Sequence, residues 1–158
     1  MKSADSLEEW EESLRINAPG VFLMHREFGK VMSDQRSGPI VNIGSIQGMI
    51  GPTLSLSDGL NMGPVPPDYF FHKGGMINLT RYFAALFGPA GVRGNGRSPG
   101  RFCNNQAGEF VRRYSEKTFL GRRGNETDLG GSVVFLLSDA SVDITGVNLP
   151  VDGGHTMQ

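Results

Sequence analysis

The sequence predicts an α/β fold built on a parallel sheet of about three strands. Two observations carry that reading. Apolar residues recur at helical steps over 7–31, 69–87 and 126–137, and strand-like runs fall between or after them at 39–44, 92–100 and 147–151. The order is helix, strand, helix, strand, helix, strand, which means parallel strands joined by crossover helices.

Ser6-Leu7-Glu8-Glu9 has the form of a capping box, serine at the cap and glutamate at the third helical position. The helix behind it carries Leu7, Trp10, Leu14, Val21, Met24, Phe28 and Val31 on one stripe. Asn17 falls in a gap of that stripe, and Pro19 removes a backbone hydrogen bond, which bends a helix. An amide there needs a freed carbonyl or a held water. Taken alone, Asn17 reads as a satisfied structural amide. Ser37-Gly38 turns the chain, and 39–44 is a short buried strand. Ser45 sits just past its carboxyl end, where open α/β sheets carry their chemistry. Residues 46–68 are rich in Gly, Pro, Ser and Met without a period. So long a loop is functional or disordered, and this one is placed to select a substrate.

The helix at 69–87 has Met76, Leu79, Phe83 and Leu86 on one stripe and Ile77, Ala84 and Phe87 on another. A helix apolar on two faces packs on its sheet and against a second body, such as another subunit. Gly88-Pro89 ends it. The strand expected at 92–100 is a poor one, weakened by Gly94 and Gly96, with Arg97 needing burial or a partner. A short surface helix is expected at 105–117. Asn125 caps the next helix, whose Leu129, Val133, Leu136 and Leu137 face a core. Ile144-Thr145-Gly146 leads into the third strand, and Asp152-Gly153-Gly154 follows it.

Composition narrows the function. The 158 residues make one domain, 1–158, with room for a core. Fifteen basic and 16 acidic residues leave a net charge of −1, so nothing points to nucleic acid. The single cysteine, Cys103, leaves no internal disulfide and fits a reducing cytoplasm. His25, His72 and His155 lack metal-ligand spacing, so no metal is expected. No apolar run reaches the ~20 residues of a membrane span, and Met1-Lys2-Ser3-Ala4-Asp5 lacks the apolar core of a signal peptide.

Tyr69 and Lys73, four apart on a helix, share one face. An ammonium beside a phenol favours the phenolate, as an acid/base catalyst needs, and a nearby serine hydroxyl could hold a substrate oxygen. The pair alone reads equally as a helix start with an exposed lysine.

Five motifs stand in one order: Asn17 in a kinked helix, Ile43-Gly44-Ser45 after a strand, Tyr69-x-x-x-Lys73, Ser98-Pro99-Gly100, and Ile144-Thr145-Gly146 leading to Val151-Asp152-Gly153-Gly154. Together they resemble the short-chain dehydrogenase/reductase family over nearly the whole chain. That resemblance implies part of a Rossmann-like, doubly wound parallel sheet and hydride transfer between NAD or NADP and an alcohol/carbonyl pair. It implies Tyr69 as acid/base, Ser45 orienting the substrate oxygen, and Lys73 favouring the phenolate and holding the nicotinamide ribose. Asn17 would carry a proton-relay water, and Pro99 and Gly100 would border the nicotinamide. The helices at 6–32 and 69–87 match those that commonly form the family's dimer interface, so a homo-oligomer is expected.

The chain departs from the family twice. It lacks the Gly-rich strand-to-helix turn that cradles the pyrophosphate, which reads as a truncated domain. The strand before Pro99 has Gly94, Gly96 and Arg97 where apolar residues are usual. The loop at 46–68 and Asn104-Asn105-Gln106 resemble members acting on modified sugars, so a sugar-related substrate is one expectation. The competing readings are an inactive fragment that joins full-length relatives and a non-functional remnant.

Overall fold

Helix α1, Leu7–Gln35, begins at the capping box: Ser6 Oγ accepts from the Glu9 amide at 3.2 Å, and a Glu9 carboxylate oxygen accepts from the Ser6 amide at 2.9 Å. Pro19 lies inside this continuous helix. Asn17 finds a backbone partner, its amide donating to the Ser13 carbonyl at 3.0 Å. This computed structural model describes residues 6–63, 65–102 and 105–157. The leader reading of residues 1–5, the redox reading of Cys103 and the Asn104 part of the sugar motif lie outside the described residues.

Strand β1 is Gly38–Ile43, helix α2 Pro67–Phe87 and strand β2 Val92–Pro99. Helices α3, Gly108–Glu116, and α4, Thr127–Leu137, precede strand β3, Asn148–Val151. The strands form one parallel sheet in the order β1-β2-β3, with Ile43 opposite Arg97 and Arg97 opposite Leu149. Neighbouring residues of a strand point to opposite faces. A side chain at Gly94 would meet Ala84 of α2, whereas Arg93 reaches back to the Leu136 carbonyl of α4 at 2.9 Å. Helices α2 and α4 therefore cover opposite faces, as in a doubly wound sheet, and α1 lies over α2 through His25 and Phe22 against Phe83.

The second strand is better than its composition implies. It runs eight residues in the centre of the sheet, and Val92, Asn95, Arg97 and Ser98 are buried. Gly94 and Gly96 allow close approach of Ala84 and of the Asn148 amide. Asn95 donates to the Ile144 carbonyl at 2.8 Å and accepts from the Val147 amide, while Ser98 donates to Asn148 Oδ1 at 2.8 Å. The Thr145 hydroxyl and the Gly146 amide bond the backbone of Gly94. Tertiary partners compensate for weak strand propensity. Arg97 is the exception: it is 2 % exposed, its Nε and Nη2 have no partner, and burial pushes its pKa down.

Other expectations shift in detail. Asn125 Oδ1 accepts from the Thr127 amide at 2.9 Å, supporting the start of α4, but of its four supposed core residues only Leu136 is buried and Leu137 is exposed. On α2, Ile77, Phe83 and Ala84 are buried and Leu86 is exposed, while Thr80, outside both stripes, is buried too. Helix α3 is not purely a surface element, since Phe110 and Tyr114 join Ile46 and Leu56 in a second small core.

Candidate active site

Residue 45 is placed by β1, which ends at Ile43, and by a tight turn at Ile46–Gly48. Ser45 is buried, and its Oγ accepts from the Gln47 amide at 3.2 Å, which leaves the hydroxyl proton for an oxygen in the cleft. The turn lies directly on α2: a side chain at Gly48 would meet the Lys73 carbonyl carbon and oxygen at 2.5 Å and the Gly74 nitrogen at 2.9 Å. Backbone-to-backbone contact of this kind needs a residue without Cβ. Gly48→Ala should push the turn off α2, destabilising the fold by about 1–3 kcal/mol and parting Ser45 from α2. A urea midpoint and the side-chain spectrum of Tyr69 would check both effects together.

Asp68, Tyr69, His72 and Lys73 occupy the first turns of α2. Lys73 Nζ donates to the Ile43 carbonyl at 2.8 Å, bridging α2 to the carboxyl end of β1, and lies 5.7 Å from the Tyr69 ring centroid. Tyr69 is 37 % exposed. It borders two cavities. One, about 260 Å³, is lined by Ser45, Gln47, Tyr69, Pro99, Gly100, Arg101 and Gln106. The other, about 380 Å³, includes Asn17, Asp68, Tyr69, His72 and Lys73. Of the sequence-selected residues, Ser45, Tyr69, Pro99 and Gly100 thus share one cleft, and Asn17 and Lys73 share the other with Tyr69.

The sequence and the three-stranded parallel fold both have counterparts among known proteins. The family described as enoyl-(acyl carrier protein) reductase matches residues 3–156. The chain belongs to the short-chain dehydrogenase/reductase family. It is 33 % identical to 2-(S)-hydroxypropyl-CoM dehydrogenase 3 of Xanthobacter autotrophicus, over 93 % of this chain and 57 % of that protein. A short-chain dehydrogenase from Leptospira borgpetersenii with bound NAD+ superposes with a TM-score of 0.85 at 35 % identity, covering 96 % of this chain and 58 % of that one. A gluconate 5-dehydrogenase from Burkholderia cenocepacia, in complex with NADP and tartrate, gives 0.84 at 28 %, over 98 % and 59 %. The chain therefore spans a little over half the length of these short-chain dehydrogenases.

Two polar groupings escaped the sequence reading of this family member. Ser13 of α1 donates to Asp68 at 2.5 Å and meets His72 Nε2 at 3.0 Å. The spacing of Asp68 and His72, one helical turn apart, was the available signal. Deeper, Asn42 donates to His25 Nε2 at 2.9 Å and to Thr80 at 2.8 Å, while His25 Nδ1 meets the Val21 carbonyl at 2.8 Å. With these donors the network is complete when His25 is neutral and carries its proton on Nδ1. It ties α1, β1 and α2 together beneath the site.

The long loop is also held. Arg113 of α3 donates to the Ser55 and Asp58 carbonyls at 3.1 and 2.7 Å. Glu109, held at about 2 by the Arg112 and Arg113 guanidiniums, fixes that arginine.

Among the described residues no group of His, Cys, Asp and Glu is arranged to hold a metal, and no helix is long and apolar enough to cross a membrane.

Proposed function

We propose that this chain is the substrate-side part of an NAD(P)-dependent oxidoreductase acting on a small alcohol or carbonyl compound in the cytoplasm. The observation that carries the reading is the shared cleft of Ser45, Tyr69, Pro99 and Gly100, with Lys73 fixed behind the tyrosine. Tyr69 gives and takes the proton of the substrate oxygen, and the free hydroxyl proton of Ser45 holds that oxygen in place. Lys73, with Tyr69, would hold the nicotinamide ribose, while Pro99 and Gly100 border the ring. Asn17, in the cavity behind Tyr69, would hold a relay water.

The cleft of about 260 Å³ fits a nicotinamide ring beside a small substrate. NAD or NADP, when bound there, supplies or accepts the hydride. No Gly-rich turn at a helix N-terminus stands among the described residues to receive the pyrophosphate. That end of the cofactor would then rest on the part of the family fold this chain does not span.

A second reading, an inactive member that assembles with itself or with relatives, is favoured by one observation. Helix α1 exposes Phe22, Met24, Phe28 and Val31, and α2 exposes Tyr82 and Leu86, an apolar surface suited to an interface. The same surface would serve a homo-oligomer of the active form.

The deciding experiment titrates NAD(H) and NADP(H) into the purified chain by calorimetry. It then assays hydride transfer with the chain mixed with the complementary part of a relative. Binding tighter than about 100 μM, worth roughly 5–6 kcal/mol, with turnover on an alcohol panel is the expected result of the mixture. A well-assembled mixture without turnover would leave the assembly reading.

A further inference from the structure

Arg101 follows Pro99-Gly100 and faces the same cleft. It lines both the cavity of Ser45 and Tyr69 and an adjoining one of about 120 Å³ bounded by Gln47, Phe110, Tyr114 and His155. Its backbone is pinned on both sides: the amide donates to the Tyr114 hydroxyl at 2.9 Å, and the carbonyl accepts from the Gly124 amide at 3.1 Å. Tyr114 is 1 % exposed and stacked between Phe110 and His155. Gly100 leaves no slack, since a side chain there would meet the Tyr114 hydroxyl at 2.7 Å and Asp152 Cα at 2.9 Å.

The guanidinium itself lies over the Phe110 ring, 5.4 Å from its centroid. Among the described residues it makes no hydrogen bond and no ion pair. Arg15, Arg26, Arg112, Arg113 and Arg122 all have carboxylate partners, and Arg93 has carbonyls. Asp152, the acidic group felt by both Tyr114 and His155, spends its oxygens on the Gly154 and Thr156 amides and the Thr156 hydroxyl. A rigidly presented, half-buried guanidinium without a protein partner is a fork for a planar anion.

We propose that Arg101 anchors a carboxylate of the substrate, so that this cleft takes a small hydroxy acid or oxo acid. Arg101 brings a single positive charge into this cleft, which matches a monoanionic carboxylate rather than a dianionic phosphate. The carboxylate is unchanged in the reaction; the hydroxyl or oxo carbon lies at the Ser45 and Tyr69 end. The choice of reacting group rests on the oxidoreductase reading, whereas the anion site stands on its own geometry.

The test titrates the purified chain with gluconate, tartrate and 3-hydroxybutyrate, with glucitol and butane-1,3-diol as neutral counterparts, and with inorganic phosphate. Amide and arginine side-chain NMR signals are followed. Carboxylates should saturate and move the Arg101 Nε–H, with neutral polyols at least tenfold weaker. Arg101→Gln should weaken carboxylate binding at least tenfold, and Arg101→Lys, which keeps the charge without the fork, by several-fold. Should Arg101→Gln fail to fold, the Lys variant decides. Equal binding of polyols, an unchanged affinity in either folded variant, or tighter binding of phosphate than of carboxylates would overturn the proposal. Loss of Arg101-dependent binding with Tyr69-dependent turnover intact sinks the anion site alone; the converse sinks the oxidoreductase reading alone.

Discussion

Tyr69→Phe is expected to lower turnover of the reconstituted enzyme by about 10²–10⁴-fold, the usual contribution of a positioned acid/base group, while leaving the fold unchanged. The phenol is 37 % exposed and its oxygen has no hydrogen-bond partner among the described residues, so losing it leaves no buried partner there unsatisfied. What it removes is the proton donor in the cleft shared with Ser45, Pro99 and Gly100. Lys73 keeps its bond to the Ile43 carbonyl, so β1 and α2 stay joined. The check is kcat measured beside a urea midpoint. An unchanged kcat would remove Tyr69 from the chemistry, and a shifted midpoint would show a structural role instead.

Arg97→Met is expected to stabilise the chain by about 1–4 kcal/mol, the range found when buried ion pairs give way to apolar residues of similar volume. The guanidinium lies under 2 % exposure in the central strand, with Nε and Nη2 unpaired, and its lowered pKa is caused by burial alone. Among the described residues no carboxylate offsets that cost, so an apolar side chain of like length should keep the packing and remove the penalty. Urea unfolding should show a higher midpoint at constant slope. A lower midpoint would mean that the guanidinium is held by a partner in solution.

These two variants separate the legible from the hidden. The capping box at Ser6 and Glu9, the strand ending before Ser45, and the pair Tyr69 and Lys73 on one helix all rest on local periodicity and spacing. The structure places each of them where that spacing implies. Strand β2 falls where the sequence places it, but its strength was underrated because Gly94, Gly96 and Arg97 score poorly one by one. The strand holds because β1 and β3 both pair with it, and Asn95, Ser98 and Thr145 find partners some 50 positions away. The stripe on α1 was legible as apolar, but its exposure was not, since burial depends on what else packs there. The role proposed for Arg101 depends on Tyr114, Gly124 and Phe110, which no helical or strand period joins to it.

By itself, then, the sequence determined the alternation of elements, the parallel sheet and the family, because these follow from repeats of two, three and four residues and from motif order. The tertiary structure alone decided that Tyr69 faces one cavity with Ser45 and another with Asn17, that Gly48 must lie on the α2 backbone, and that Arg97 and Arg101 find no hydrogen-bonding side-chain partner among the described residues. Those facts turn on distances between segments far apart in the chain, which only closure of the sheet brings within a few ångströms.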